Sequence, residues 1–270
     1  MSLDFRGFYS PNFAMNALEP RLLLLVWFSA LLLGLARYLS WSLALYWYYY
    51  RRDDHREGTG APLAKQRAKI QPEFPGRQQI VTEVQWSIGS CIIYAFLAVA
   101  LYAAAVRGWT RLYLNPAAHG WLYFFGCVPI MIILHDAYFY LTHRLSHLSR
   151  TVFRHFHRIH HQSTNPTPFA DICFHPVDAL IHAGFFPLIL FCLPVHPVPL
   201  AFFLTLVQII NAMGHIGYEV FPDWLTSLPL WRWVSQPTAH NLHHSHIQCN
   251  YGLYFRFWDR ILKTEKGAER

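Results

Sequence analysis

Four long apolar stretches constrain this chain more than any other feature of its sequence. They cover residues 22–50, 84–106, 120–140 and 179–213, and each of the first three contains at most one charged side chain. About 20 helical residues span the roughly 30 Å hydrocarbon core of a membrane. Only 14% of the residues are charged, against about 25% in soluble domains. The chain is therefore predicted to be an all-α integral membrane protein with about four transmembrane helices.

The fourth stretch differs from the others because the sequence "LPVHPVP" (193–199) divides it. Proline ends or kinks a helix. Each of the two arms on either side of the prolines is shorter than the about 20 residues that span a membrane. Residues 179–213 are therefore predicted to form a helical hairpin or two short spans.

Lysine and arginine predict the orientation, since they favour cytoplasmic loops. Loop 51–84 contains seven of them, while loop 107–119 contains two. Loop 51–84, residues 141–178 and the C-terminal segment are therefore expected on the cytosolic side. No signal peptide is expected at the N-terminus, and the membrane is either the endoplasmic reticulum or a bacterial inner membrane.

The formal net charge of +7 does not indicate a nucleic-acid partner, because the basic residues flank apolar segments and form no separate patch. The five cysteines are scattered without CxxC spacing. We therefore expect neither a disulfide framework nor a thiolate metal site.

Histidines cluster in three places beside the apolar stretches. They follow the patterns HxxxH, HxxHH and HxxHH, and residues three or four apart share one face of a helix. A further histidine stands four residues after Asn211. The clustered set is His143, His147, His157, His160, His161, His215, His240, His243 and His244.

A lone histidine is usually a hydrogen-bonded core residue, and this interpretation suits four isolated ones: His55, His119, His182 and His196. For His175, and similarly for His135 and His246, we expect either a structural role or a contact that supports a metal ligand. The clusters are different, because protonated neighbours repel and buried neutral rings need partners. Neutral imidazoles bind transition metals, and a metal makes such a group stable. Nitrogen ligands favour zinc, copper, iron or nickel, and eight or nine of them suit two ions.

Four sequence segments resemble the fatty acid hydroxylase/sterol desaturase superfamily of membrane non-haem di-iron oxygenases. They are "HDAYFYLTHRLSH", "HRIHHQSTNPTPF", "FHPVD" and "AHNLHHSHIQCNYGLYFRFWDR". The segment "NPTPFADICFHPVDAL" is similar to the sterol C5-desaturase (lathosterol oxidase) branch. The resemblance implies N-terminal membrane helices over 1–118 and a catalytic domain over 119–265, with a cytosolic helical cap that carries the dimetal site.

The resemblance implies that the nine clustered histidines bind two iron ions, for which zinc can substitute in purified protein. It implies an O2-dependent oxidoreductase that desaturates a sterol or related lipid, with electrons from a cytochrome b5 or ferredoxin and its reductase. Two alternatives stay open: a hydroxylase of fatty-acyl, alkylglycerol or methyl-sterol lipids, and a membrane haem or metal carrier.

The chain departs from the family pattern at two places. Relatives have a histidine where this chain has Asn211, which leaves the number of ligands open. After "WDR" the chain reads "ILKTEK", where relatives often have a glycine-containing turn.

Overall fold

The computed structural model describes residues 17–51 and 69–267. His55 and residues 52–68 of the predicted cytosolic loop 51–84 lie outside these residues. The described chain is helical and has isolated β-bridges but no strand. Its main helices are α1 Pro20–Tyr46, α2 Arg77–Val106, α3 Trp121–Leu148, α4 Pro176–Ala183, α5 Phe185–Cys192, α6 Pro197–Gly214, α7 Pro237–His246 and α8 Phe257–Ile261.

Within the described part, four helices are long and apolar enough to cross a membrane: Pro20–Tyr50, Arg77–Val106, Trp121–Leu148 and Pro197–Gly214. They confirm the predicted number. The first of these spans joins α1 to the π-helical turn Trp47–Arg51. Large apolar side chains such as Leu24 and Leu33 point outward from α1, as expected of a helix that is apolar on all sides.

The fourth apolar stretch forms the predicted hairpin. Helices α4 and α5 make one arm and α6 makes the other, with the turn at residues 193–196. The turn lies against loop 107–119, where the Tyr113 amide donates to the Val195 carbonyl at 3.1 Å and the Arg111 amide donates to Leu190 at 2.8 Å. The start of α4 and the end of α6 therefore lie at the opposite end of the bundle, beside the histidine-bearing end of α3.

Helix α2 begins at Arg77 rather than near residue 84, because a loop provides hydrogen-bond partners for the polar side chains of Gln79 and Glu83 in its first turns. The loop residue Thr167 donates to the Glu83 carboxylate at 2.5 Å. The carbonyl of Phe169 accepts hydrogen bonds from Tyr38 of α1 at 3.0 Å and from Ser87 of α2 at 2.9 Å. Loop 163–174 is thus fixed between α1 and α2, and it joins the second histidine cluster to α4.

Helix α3 continues to Leu148, eight residues past the predicted apolar run. The added turns carry His143 and His147 on one face. Three short helical segments follow, Arg150–Val152, Phe153–His157 and Arg158–His161. Together they turn the chain back so that the second histidine cluster faces the first.

Candidate metal centre

The nine clustered histidines come from four parts of the chain and meet at one end of the bundle. They form two groups, and within each group one nitrogen per ring lies within 4.8 Å of all the others. The five-histidine group consists of His143, His147, His157, His161 and His243, and the four-histidine group consists of His160, His215, His240 and His244.

In both groups the Nε2 atoms converge. In the five-histidine group, Nε2 of His161 lies 3.1 Å from that of His147 and 3.2 Å from that of His243. In the four-histidine group, Nε2 of His240 lies 3.0 Å from that of His215 and 3.2 Å from that of His244.

Backbone carbonyls fix the tautomers of several rings. Nδ1 of His215 donates to the Asn211 carbonyl at 2.7 Å, and Nδ1 of His243 donates to the Cys249 carbonyl at 2.6 Å. Nδ1 of His143 donates to the Tyr251 carbonyl at 3.0 Å. A neutral ring with its proton on Nδ1 presents an unshared electron pair at Nε2. The converging Nε2 atoms therefore face one another as acceptors, and a cation between them satisfies them.

Burial keeps these rings neutral. It lowers the pKa of His215 to about 4 and that of His243 to about 3. Burial, followed by repulsion from neighbouring imidazoles, also holds the pKa of His160, His240 and His244 well below the ordinary value. At neutral pH these histidines carry the free electron pairs that a metal ligand needs.

Asp178 of α4 is a polar residue of the site that the sequence analysis did not identify. Its Oδ2 accepts a hydrogen bond from Nδ1 of His157 at 2.9 Å, and both side chains are fully buried. The Nε2 of His157, on the other side of the ring, has no hydrogen-bond partner in the described structure. A carboxylate on the outer nitrogen orients an imidazole and makes it more basic. The sequence signal was a carboxylate in the first turn of an otherwise apolar helix.

The turn "NYG" (250–252) and the residue before it hold two rings of the five-histidine group. Oδ1 and Oδ2 of Asp259 accept the amides of Tyr251 and Gly252 at 2.9 and 2.8 Å. A Cβ on Gly252 would lie 2.3 Å from the Phe255 carbonyl oxygen, so only glycine fits. This turn supplies the Tyr251 carbonyl to His143, and Cys249 immediately before it supplies the carbonyl to His243.

Asn211 lies beside the four-histidine group, but its side chain is hydrogen-bonded to another part of the chain. Its side-chain amide donates to the Asp171 backbone carbonyl at 2.5 Å, and its own carbonyl accepts from His215. Asn211 therefore positions His215 and connects it to loop 163–174.

The remaining described histidines lie outside the two groups. His135 is hydrogen-bonded through Nδ1 to Tyr254 at 2.7 Å, and His175 caps the start of α4. His182 is buried between Phe139 and Phe174, and its Nε2 lies 3.6 Å from Asp178. Contrary to the prediction for a core histidine, neither ring nitrogen of His182 has a hydrogen-bond partner in the described structure. His182 packs behind the site, beside the carboxylate that holds His157.

Two groups of neutral nitrogen donors fit two transition-metal ions. Imidazole ligands suit zinc, copper, iron or nickel and do not suit magnesium or calcium. A site of this kind at the end of apolar helices can bind a redox metal close to molecules dissolved in the membrane.

Comparison with known proteins agrees with this geometry. The sequence profile described as Fatty acid hydroxylase matches residues 128–264. The chain is 31% identical over 183 residues to Delta(7)-sterol 5(6)-desaturase ERG3B of Gibberella zeae, covering 68% of this chain and 55% of that protein. It is 29% identical over 192 residues to lathosterol oxidase of Mus musculus, covering 70% and 62%.

A third relative is a hydroxylase. Cholesterol 25-hydroxylase of Homo sapiens is 30% identical over 212 residues, covering 76% of this chain and 74% of that protein. No solved structure matches the chain.

The aligned regions make up 55% of the length of the Gibberella zeae desaturase and 62% of that of lathosterol oxidase, so the chain spans only part of these relatives. The profile match contains all nine histidines of the two groups. It confirms the resemblance drawn from the histidine patterns, and the chain belongs to the fatty acid hydroxylase family.

Proposed function

We propose that the five-histidine and four-histidine groups each bind one iron ion, and that the protein is a membrane oxidoreductase acting on a sterol or related lipid. The observation that carries this proposal is the convergence of the Nε2 atoms in two separate groups. Without a cation, these buried nitrogens lack partners, at a cost of roughly 1–3 kcal/mol each. Zinc would occupy the same nitrogen donors in purified protein.

When bound, the irons would supply O2 activation and oxidation of an unactivated C–H bond, with electrons from outside the protein. The chain itself does the positioning. Asp178 holds His157, the carbonyls of Tyr251 and Cys249 hold His143 and His243, and Asn211 holds His215. Such outer contacts fix the direction in which each ligand points.

An apolar cavity next to the four-histidine group supports a lipid substrate. Its volume is about 340 Å³, within the usual range for small-molecule sites. Of the nine histidines, His240 lines it, together with Ile132 of α3, Ile210 of α6 and Tyr254. Ile132 lies eleven residues before His143, so the cavity extends roughly 16 Å along α3 from the histidines. A molecule entering from the bilayer can thus reach the four-histidine group.

We favour a sterol desaturase similar to the C5-desaturases, since the relatives described above include two proteins named for that reaction or its substrate. Hydroxylation is the second candidate, because the likeness to cholesterol 25-hydroxylase covers a larger share of both chains. The same two groups of ligands would serve either reaction. The orientation of the bound substrate in the cavity would decide between desaturation and hydroxylation.

The electron donor is proposed to be an acidic protein such as a cytochrome b5 or ferredoxin, served by its reductase. Arg150, Arg154 and Arg158 are exposed on the segment that carries His157, His160 and His161. An acidic donor would be attracted to this basic surface. The excess of lysine and arginine at this end also supports a cytosolic site, in the endoplasmic reticulum or a bacterial inner membrane.

Lipid analysis by mass spectrometry tests this function. Cells that express the gene are compared with cells that express His244→Ala, with His246→Ala as the matched control because His246 is exposed on the same helix. Loss of two hydrogens from a sterol indicates desaturation, and gain of one oxygen indicates hydroxylation. An unchanged lipid profile with metal-loaded protein and an electron donor present would contradict the proposal.

A further inference from the structure

We propose that residues 221–234, here called the 221–234 segment, are seated in the membrane leaflet at the histidine end of the bundle and form the lipid-side wall of the cavity. The segment reads "FPDWLTSLPLWRWV" and contains three tryptophans but only one aspartate and one arginine. In the described structure it consists of two short helical turns, Asp223–Thr226 and Trp231–Trp233, joined by further turns at residues 227–230.

The outer face of the segment is unusually apolar. Trp224 is 69% exposed, Leu228 is 47% exposed and Leu230 is 82% exposed. Exposed tryptophan beside leucine is costly in water but typical of the membrane interface, where the ring has both apolar and polar surroundings. We therefore expect this apolar patch, formed by Trp224, Leu228 and Leu230, to be shielded from water by another surface.

The inner face of the segment belongs to the cavity. Phe221 and Trp231 pack edge to face at 4.8 Å between ring centroids, and both line the cavity with His240. One short segment thus has the cavity on one side and the apolar patch on the other.

The position of the segment along α3 indicates that the surface shielding the patch is lipid. The Ser235 amide donates to the Tyr254 carbonyl, and the Arg256 amide donates to the Trp233 carbonyl, both at 2.8 Å. The amide of Tyr254 in turn donates to Asp136 of α3 at 3.0 Å. Asp136 precedes His143 by seven residues, so the segment is tied to α3 roughly 10 Å on the membrane side of the histidines.

At this level α3 itself presents apolar side chains outward. Ile133 is 62% exposed and Leu134 is 42% exposed, as expected where a spanning helix meets lipid. The guanidinium carbon of Arg260 lies 4.6 Å from the centre of the Trp233 ring, and its Nε pairs with the Glu265 carboxylate at 3.0 Å, which places an ion pair at the edge of the patch. Arginine at that edge suits the phosphate level of a bilayer.

A lipid surface fits these observations better than a second protein copy, because the patch is continuous in depth with a membrane-spanning helix. The seating of the segment does not depend on the chemistry of the site. Its role as the wall past which a substrate enters rests on the proposed function.

A nitroxide label measures the depth of the segment in reconstituted protein. Cys192 is the exposed cysteine and the other four are buried, so the background variant is Cys192→Ser. Labels are placed through Leu230→Cys in the segment, Leu33→Cys on the outward face of α1 and Ser245→Cys on the exposed face of α7. The protein is reconstituted in phosphatidylcholine vesicles, and collisions with O2 and with a water-soluble nickel chelate are measured by power saturation.

The label at position 230 is expected to collide more often with O2 and less often with the nickel chelate than the label at position 245, with position 33 as the reference for a deep lipid site. If position 230 instead matches position 245, or is shielded from both reagents by a protein partner, the inference is overturned. The measurement needs no turnover. If position 230 lies in lipid but the protein is inactive, the proposed function is contradicted and the placement of the segment is supported. If the protein is active but position 230 lies in water, the placement is contradicted and the proposed function is supported.

Discussion

The two ends of the helical bundle both contain buried histidines, but their ring nitrogens are used differently. At the hairpin turn, His196 accepts the Val198 amide through Nδ1 at 3.1 Å and donates from Nε2 to the Leu114 carbonyl at 3.0 Å. At the other end, His215 donates from Nδ1 to Asn211 while its Nε2 faces those of His240 and His160. One ring is fully satisfied by the protein, and the other has an electron pair to give.

This difference shows what separates a structural histidine from a candidate ligand. Both rings are buried, so burial does not distinguish them. The distinction is whether the protein provides a donor for the second nitrogen or directs it toward other imidazoles.

The largest effect is expected from His244→Ala compared with His196→Ala. Removing His244 takes one of four nitrogens from its group, so activity on the lipid substrate should fall to background and one metal should be lost. His196→Ala should keep its metal and its turnover, with lower thermal stability as its only defect. Lipid product analysis and elemental analysis of both purified variants check this. Full activity in His244→Ala would show that the four-histidine group is not the working site.

Metal removal should destabilise the histidine end. A ligand at about 100 times its dissociation constant stabilises a protein by about 2.7 kcal/mol, which is about 5–10 °C in melting temperature for a chain of this size. Chelation should lower the melting temperature by at least this much. Thermal unfolding is monitored by tryptophan fluorescence of the protein in detergent. His196→Ala should show the same decrease on chelation. An unchanged melting temperature would mean that the imidazoles do not need an ion.

Asp178→Asn should weaken metal binding by about 10–100-fold, the usual effect of removing a carboxylate behind a ligating histidine. The amide can still accept from His157 but carries no charge. Metal affinity is measured by competition with a chelator of known strength. Asp223→Asn is the matched control because Asp223 is exposed, and it should bind metal normally. Equal affinities in the two variants would remove Asp178 from the site.

The smallest expected effect concerns Gly252→Ala, where the new Cβ would contact the Phe255 carbonyl and Asp259. Overpacking of this kind costs about 1–3 kcal/mol. The displaced turn should also misalign the carbonyls that hold His143 and His243, which shows as a lower melting temperature and partial metal loss. Gly126→Ala is the control, since a Cβ there meets nothing within 4 Å. Similar melting curves for the two variants would contradict the tight fit.

The sequence predicted the four candidate spans and the hairpin, because apolar length and proline act locally. It also selected all nine histidines that the structure brings together, since their spacing of three and four residues is itself a helical pattern. It did not predict the division into five and four, because His160 and His161 are neighbours in sequence yet join different groups. Residues 158–161 form one helical turn in which adjacent rings point in different directions.

Long-range polar contacts could not be predicted from the sequence either. Asp178 and His157 are 21 residues apart, and Glu83 and Thr167 are 84 apart. Helix α2 was predicted to start too late because Glu83 reads as a loop residue until its buried partner is known. Such pairs depend on how the helices pack, which no local pattern states.

The most direct test of the two-ion site is the metal content of purified protein, measured together with X-ray absorption of the bound ion. The account predicts two transition-metal ions per chain with nitrogen ligands, and about one ion per chain in both His147→Ala and His244→Ala, because each variant damages a different group. Protein that is active without a bound transition metal, or variants that both keep two ions, would contradict it.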